Sequence, residues 1–311
     1  MVHFGEEPIP NVLARRRYRI AILVVTVVVV LYGSVSFLIA QGVTNASRKP
    51  QEQIPSDFNL VSEDVEFFSR RGDVKLSGWY LPGDGSGPHL IFVHGIGSVR
   101  SGDKAVGLAA RIVGLGYNVL MFDLRGHGSS EGDKVSGGFY ERSDVLGAFD
   151  YLLRRGVDIG RVGLMGFSMG AATSIMAAAQ EPRITALAAD RTYAHASELI
   201  AREAARKTLI PGWLTPVFMP ASKLIANGIY GIDIGSLVPE ESVADLGYPV
   251  LVIHGTEDKR IPLEQGQRVA GAAKEGSSIW LVPEVDHLDA FLTHPDEYTE
   301  RVDEYFSSRF R

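Results

Sequence analysis

Val162-Gly-Leu-Met-Gly-Phe-Ser168-Met-Gly-Ala-Ala-Thr-Ser-Ile-Met-Ala-Ala-Ala179 decides how this chain is read. The apolar run Val162–Met165 suits a buried strand, and the small-residue run Ala171–Ala179 suits a helix packed closely on it. Between them lies Gly166-Phe167-Ser168-Met169-Gly170. Small residues two before and two after a serine let the chain turn sharply where neighbouring backbones nearly touch. Such a turn lifts the hydroxyl of Ser168 to the carboxyl end of a sheet. It also sets the hydroxyl beside a helix N-terminus, whose free N–H groups and partial positive charge favour developing negative charge.

Working outward, short apolar runs alternate with helical patterns, which points to an α/β fold with a mainly parallel sheet covered on both faces. Strands are expected at Val65–Phe68, Lys75–Tyr80, Leu90–Val93, Asn118–Phe122, Val162–Met165, Ala186–Ala189, Val250–Ile253 and Ile279–Val282. Helices are expected near Lys104–Leu115, Tyr140–Arg154, Met169–Gln180 and Leu263–Ala273. A last one starts at Pro295 and carries Tyr298, Val302, Tyr305 and Phe306 on one face. About 60 residues separate the sixth and seventh strands. They hold a mixed helix (Ser197–Lys207) and Ile210–Pro220, whose three prolines and large apolar side chains read as a stiff loop. That loop serves either as a crossover packed on the core or as a cap over a pocket, the cap insertion covering about 191–247.

A serine hydroxyl needs a base. Of the eight histidines, His94, His127 and His254 each precede a glycine near a strand, where turn formation accounts for them. His287 stands apart: Pro283-Glu-Val-Asp-His287-Leu is a polar loop directly after the last strand. An acid lying after an earlier strand would orient that imidazole and stabilise its protonated form. Asp258, in His254-Gly-Thr-Glu-Asp258-Lys-Arg-Ile-Pro262, is the candidate and Glu257 the alternative.

With His94-Gly95-Ile96-Gly97 after the third strand, Asp123-Leu-Arg-Gly-His-Gly-Ser129, the GFSMG turn, HGTEDKRIP and the His287 loop in this order, residues 61–311 resemble an α/β-hydrolase. The likeness is greatest to the branch holding monoacylglycerol lipases, membrane-anchored bacterial hydrolases and serine aminopeptidases. It implies a mostly parallel eight-stranded sheet with helices on both faces and a small cap. It also implies a serine hydrolase of carboxylic esters, lipid-derived ones among them, with a Ser168–Asp258–His287 triad and no metal or organic cofactor. The oxyanion hole it implies uses the backbone N–H groups of Ile96 and Met169, with Gly97 as a substitute for Ile96. The stretch from Asp123 to His127 would support the site rather than perform chemistry. A serine aminopeptidase or thioesterase of the same fold is the alternative activity, and a non-catalytic anchored interaction module the alternative class. An elbow serine removes the dehalogenase reading, which needs Asp there.

The N-terminus adds a second theme. Ile20–Ala40 reads IAILVVTVVVVLYGSVSFLIA, and no charge occurs from Ile20 to Ser47. About 20 helical residues span the roughly 30 Å hydrocarbon core. Arg15, Arg16, Arg17 and Arg19 precede the run, so residues 1–19 are expected in the cytoplasm, 20–40 as a single-pass signal anchor and the body outside. A cleaved signal peptide competes, but its apolar region is shorter, roughly 7–15 residues. Residues 41–60 read as a polar linker, which would make the body separable from its anchor. Composition closes off other classes. With 31 Lys+Arg against 37 Asp+Glu the net charge is −6, which argues against nucleic-acid binding. The absence of cysteine excludes disulfides, thiolate metal sites and a thiol nucleophile. Neither HExxH nor a phosphate-binding GxxxxGK[ST] occurs.

Overall fold

The computed structural model describes residues 12–42, 44–46, 48–207, 210–287 and 289–310. Eight strands, β1 (Glu63–Phe68), β2 (Lys75–Leu81), β3 (His89–Val93), β4 (Asn118–Phe122), β5 (Val162–Phe167), β6 (Leu187–Asp190), β7 (Leu251–Gly255) and β8 (Ser278–Val282), form one sheet in the order β1-β2-β4-β3-β5-β6-β7-β8. The first two strands pair antiparallel with each other, and β2 pairs antiparallel with β4; every other pairing is parallel. Every residue of β3, β4, β5 and β7 is buried, which is why those strands read as unbroken apolar runs. Edge strand β1 buries only Val65 and Phe67 and alternates accordingly.

Ten helices accompany the sheet among the described residues: α1 (Val12–Gly42), α2 (Ala105–Gly114), α3 (Glu141–Arg154), α4 (Met169–Gln180), α5 (Ala196–Lys207), α6 (Thr215–Tyr230), α7 (Pro239–Ala244), α8 (Leu263–Ala272), α9 (Ala290–Thr293) and α10 (Pro295–Arg309). Period-2 alternation in the strands splits the core in two. Ile91 and Val93 of β3 face a cluster with Phe149 of α3, Ile175 of α4 and Val269 of α8. Leu90 and Phe92 face Leu108 and Ile112 of α2 and Tyr298, Val302 and Phe306 of α10. Fully burying each of these large side chains contributes about 1.5–3 kcal/mol.

Two expectations are corrected. The proline-rich stretch is not a loop throughout, because from Thr215 it becomes α6. Pro216 falls in the first turn, where a missing N–H costs nothing, and only Pro220 removes an interior hydrogen bond. Packing makes up for it: the Tyr32 hydroxyl donates to the Val217 carbonyl (3.0 Å), the Ser222 hydroxyl donates to the Ser36 carbonyl (3.0 Å), and the Tyr32 and Phe218 rings stack. Residues 41–60, in turn, are strapped to the body rather than forming a free linker. The Arg48 guanidinium donates to the carbonyls of Gly128, Ser130 and Gly132 at 2.6–2.9 Å. Gln51 donates to Asp123 (3.0 Å), the Glu52 N–H donates to Ser101 (2.8 Å), and Pro55–Phe58 forms a 3-10 turn beside α2. The body is therefore continuous with α1.

Candidate active site

Tight packing at the β5–α4 turn explains its sequence. A Cβ on Gly170 would lie 2.0 Å from the Val93 carbonyl oxygen, and one on Gly166 would lie 2.5 Å from the Ala171 Cα, so neither position admits a side chain. Between them Ser168 adopts φ 55°, ψ −119°, a positive-φ conformation unusual for a non-glycine residue. Its own N–H is held by the Asp190 carbonyl at 2.8 Å. The hydroxyl thus stands at the carboxyl end of the central strands, where ligands bind in open α/β sheets.

Loops after β7 and β8 bring the other two side chains to it. His287 Nε2 lies 3.1 Å from Ser168 Oγ, and His287 Nδ1 lies 2.6 Å from Asp258 Oδ2. Asp258 Oδ1 accepts from the N–H groups of Arg260 and Ile261, both at 2.8 Å, which fixes the carboxylate plane. Burial pushes the Asp258 pKa up. The hydrogen bond from His287 and those from the two backbone N–H groups outweigh burial and hold the carboxyl below its ordinary value. Glu257 is exposed and its N–H bonds to Val285, so it is not part of this constellation.

Ile96 and Met169 both border the cavity that contains Ser168. As the first residue of α4, Met169 has an N–H without a partner in its own helix. The Ile96 N–H makes no hydrogen bond among the described residues, whereas the Gly97 N–H donates to His127 Nε2 (3.1 Å). Gly97 is thereby engaged elsewhere. His127 donates from Nδ1 to the Arg125 carbonyl, and His94 donates to the Gly95 carbonyl while accepting the Leu124 N–H. The two rings meet edge to face at 4.9 Å. Burial pushes His94 down to about 3 and His127 below its ordinary value, and because each Nε2 accepts a backbone N–H, both rings serve as neutral struts of the 94–97 loop. Asp123 completes that scaffold by accepting from the N–H groups of Arg100 (2.8 Å) and Ser129 (3.0 Å).

Arg191 is a residue that sequence reasoning missed. It is buried at φ 58°, its N–H bonds to Ile253 (2.8 Å), and its guanidinium donates to the His287 carbonyl, holding the histidine loop against the sheet. Asp190, 3.2 Å from that guanidinium, accepts from the Tyr298 hydroxyl at 2.7 Å. An adjacent acid and base closing an apolar strand was the available signal, since such charges are buried only when partnered.

A cavity of about 520 Å³ extends from Ser168 between the body and α5–α6. Its walls combine Leu199, Ile200, Ala226 and Ile232 with three basic residues, Lys49, Arg206 and Arg260, and one carboxylate, Glu203. Two further acids, one at the start of α5 and one in α7, are committed elsewhere. Glu198 and Glu240 pair with Arg268 at 2.9 and 2.6 Å, and Glu240 also meets His195 at 3.1 Å.

Comparison with known proteins agrees with this architecture. A family model described as alpha/beta hydrolase fold matches residues 88–214. The chain is similar to the uncharacterized protein YfhR of Escherichia coli O157:H7, at 27% identity over 274 residues, covering 86% of this chain and 88% of that protein. It is also similar to a lysophosphatidylserine lipase of Danio rerio, at 26% identity over 226 residues, covering 68% of this chain and 54% of the lipase. Among solved structures, the Pyrococcus furiosus esterase Pf2001 superposes with a TM-score of 0.70 at 26% identity, covering 86% of this chain and 100% of the esterase. These likenesses and the sheet order together give the chain an alpha/beta hydrolase fold.

Proposed function

We propose that this chain is a membrane-anchored serine hydrolase that cleaves carboxylic esters, with lipid-derived acyl esters as its substrates, through an acyl-enzyme. The observation that carries this reading is the unbroken relay from Ser168 Oγ to His287 Nε2 and from His287 Nδ1 to Asp258. In the proposed cycle His287 removes the Ser168 proton as Oγ attacks the ester carbonyl. The N–H groups of Ile96 and Met169 hold the resulting oxyanion; loss of one such donor typically costs about 10²–10³ in turnover. His287 then protonates the departing alkoxide, and the C–O bond breaks to leave acyl-Ser168 and an alcohol. Water repeats the sequence, with His287 accepting its proton and returning one to Ser168, so that carboxylic acid is released and the enzyme restored.

The esterase and lipase relatives support hydrolysis of esters, and the cavity's charge favours esters over peptides. An aminopeptidase must neutralise a substrate ammonium, yet the cavity carries three cations against one carboxylate, and Glu198 and Glu240 are held by Arg268. For the anchor, α1 is long and apolar enough to cross a membrane, and its preceding arginines favour a cytoplasmic N-terminus with the hydrolase body outside. A fluorophosphonate probe tests the chemistry. The wild-type chain should label and hydrolyse p-nitrophenyl esters, while Ser168→Ala should lose the label and about 10⁴-fold or more in turnover. Undiminished labelling of Ser168→Ala would remove the assignment.

A further inference from the structure

From the way α6 is fastened to α1 we infer that α6, with Trp213 ahead of it, lies in the outer-leaflet acyl layer of the bilayer that α1 crosses, so that the cavity takes its ester sideways from that leaflet. The inference rests on the reading of α1 as a span and deepens the proposed function. Arginines at positions 15–17 and 19 set the inner limit of the hydrocarbon, because charged side chains there would otherwise be drawn into it. Beyond them, residues 20–31 are free of the body and exposed. These 12 residues cover only about 18 Å of a core roughly 30 Å thick. The helix must therefore stay in hydrocarbon for about eight residues more, to around Ile39.

That remaining stretch is where α6 is fastened. Tyr32 bonds to Val217 and stacks on Phe218, Ser36 bonds to Ser222, and Ala40 packs in one cluster with Ala226. α6 cannot stand in water while its partner stands in lipid. Its composition fits the position: Lys223 is the one charged residue in 16, and it is half-buried. On the outer side Trp213 is 78% exposed, Leu224 75%, Ile229 58% and Val217 52%, an apolar surface far more open than a soluble cap requires. Behind it the cavity is bordered by Ala226 of α6 and by Gly42, Thr44 and Asn45 where α1 ends, and continues to Ser168. An acyl chain in the leaflet thus faces the same helix pair that walls the cavity.

Tryptophan fluorescence of the full chain in phospholipid vesicles reads this directly, since Trp79 and Trp280 are buried and Trp213 is exposed. Lipids brominated on their acyl chains should quench an emission component that Trp213→Phe lacks, while aqueous iodide should leave it largely unquenched. Quenching by iodide and not by brominated lipid would overturn the inference. So would release of the protein from vesicles by alkaline carbonate, because α1 would then not span. In a second arm, Leu224→Glu combined with Ile229→Glu should slow hydrolysis of 1-oleoylglycerol held in vesicles about tenfold and leave p-nitrophenyl acetate hydrolysis unchanged. Equal rates on the vesicle ester for variant and wild type would count against lateral entry. If neither protein cleaves either ester, the proposed hydrolase activity fails with the lateral route, and the fluorescence arm still decides where α6 lies.

Discussion

Asp258 shows how much of the proposed chemistry depends on one acceptor atom. Its Oδ1 is occupied by two backbone N–H groups, so Oδ2 alone faces His287 Nδ1. Because the carboxyl is held below its ordinary pKa, loss of activity on mild acidification does not originate there. Asp258→Asn keeps the shape but turns an amide N–H₂ toward Nδ1. The imidazole then carries its proton on Nε2 and cannot accept one from Ser168. A fall in kcat of about 10³–10⁴ is expected, with little change in KM or thermal stability, measured on p-nitrophenyl esters. A kcat within tenfold of wild type would show that Asp258 does not orient the base. The proposed relay was legible from two kinds of mark: small residues two positions to either side of Ser168, and, for Asp258 and His287, polar segments that follow apolar strands. Arg191 was not, since its part is set by a left-handed backbone and by a main-chain carbonyl across the fold.

Elements join through charge as well as through the core. The β1–β2 turn, α3 and the end of α4 meet at Arg70, which contacts Asp150 at 2.6 Å and Glu181 at 2.9 Å. Glu181 also takes a two-pronged contact from Arg183, with both hydrogen bonds at 2.6 Å. The Arg183 hydrogen bond, opposed by burial and helped by Arg70, holds Glu181 down to about 2 from 4.5. A carboxylate depressed in this way stabilises the fold above about pH 4.5, and the contribution is lost as pH falls toward 2. With both arginines partly exposed, solvent screening keeps its size at neutral pH to about 1 kcal/mol or less. Urea unfolding of Glu181→Gln should therefore show that deficit at pH 7 and a narrowing gap from wild type below pH 4.5; a gap independent of pH would mean that packing, not charge, is lost. Element by element, the buried strands were readable from their unbroken apolar runs, and β1 with β2 as a hairpin-like pair around Arg71-Gly72-Asp73. α6 was hidden because three prolines within 11 residues suggest a loop, and what favours the helix is its contact with α1, some 180 residues away in sequence.

At the scale of the whole molecule, the sequence divides into anchor, linker and body, whereas the structure joins them. Arg48 fastens the segment after α1 to three carbonyls of the 128–132 loop, and Thr44 and Asn45 border the cavity. Main-chain carbonyls leave no mark in side-chain composition, which is why a docked strap reads as a polar linker. The same continuity makes orientation consequential, because whichever side the body occupies fixes the leaflet that meets α6. Positive charge ahead of α1 and its near balance afterwards favour a cytoplasmic N-terminus. The chain contains no cysteine, so single cysteines can report on this without background. Val61, 73% exposed just before β1, suits the outer reporter, and Gly5, ahead of the arginine cluster, the inner one. In right-side-out membrane vesicles a membrane-impermeant maleimide should label Val61→Cys at once and Gly5→Cys only after detergent is added. The reverse pattern would place the hydrolase body in the cytoplasm and α6 against the inner leaflet. Labelling of both without detergent would mean that α1 does not cross the bilayer, and the 12 free residues of its apolar run would no longer constrain where α6 lies.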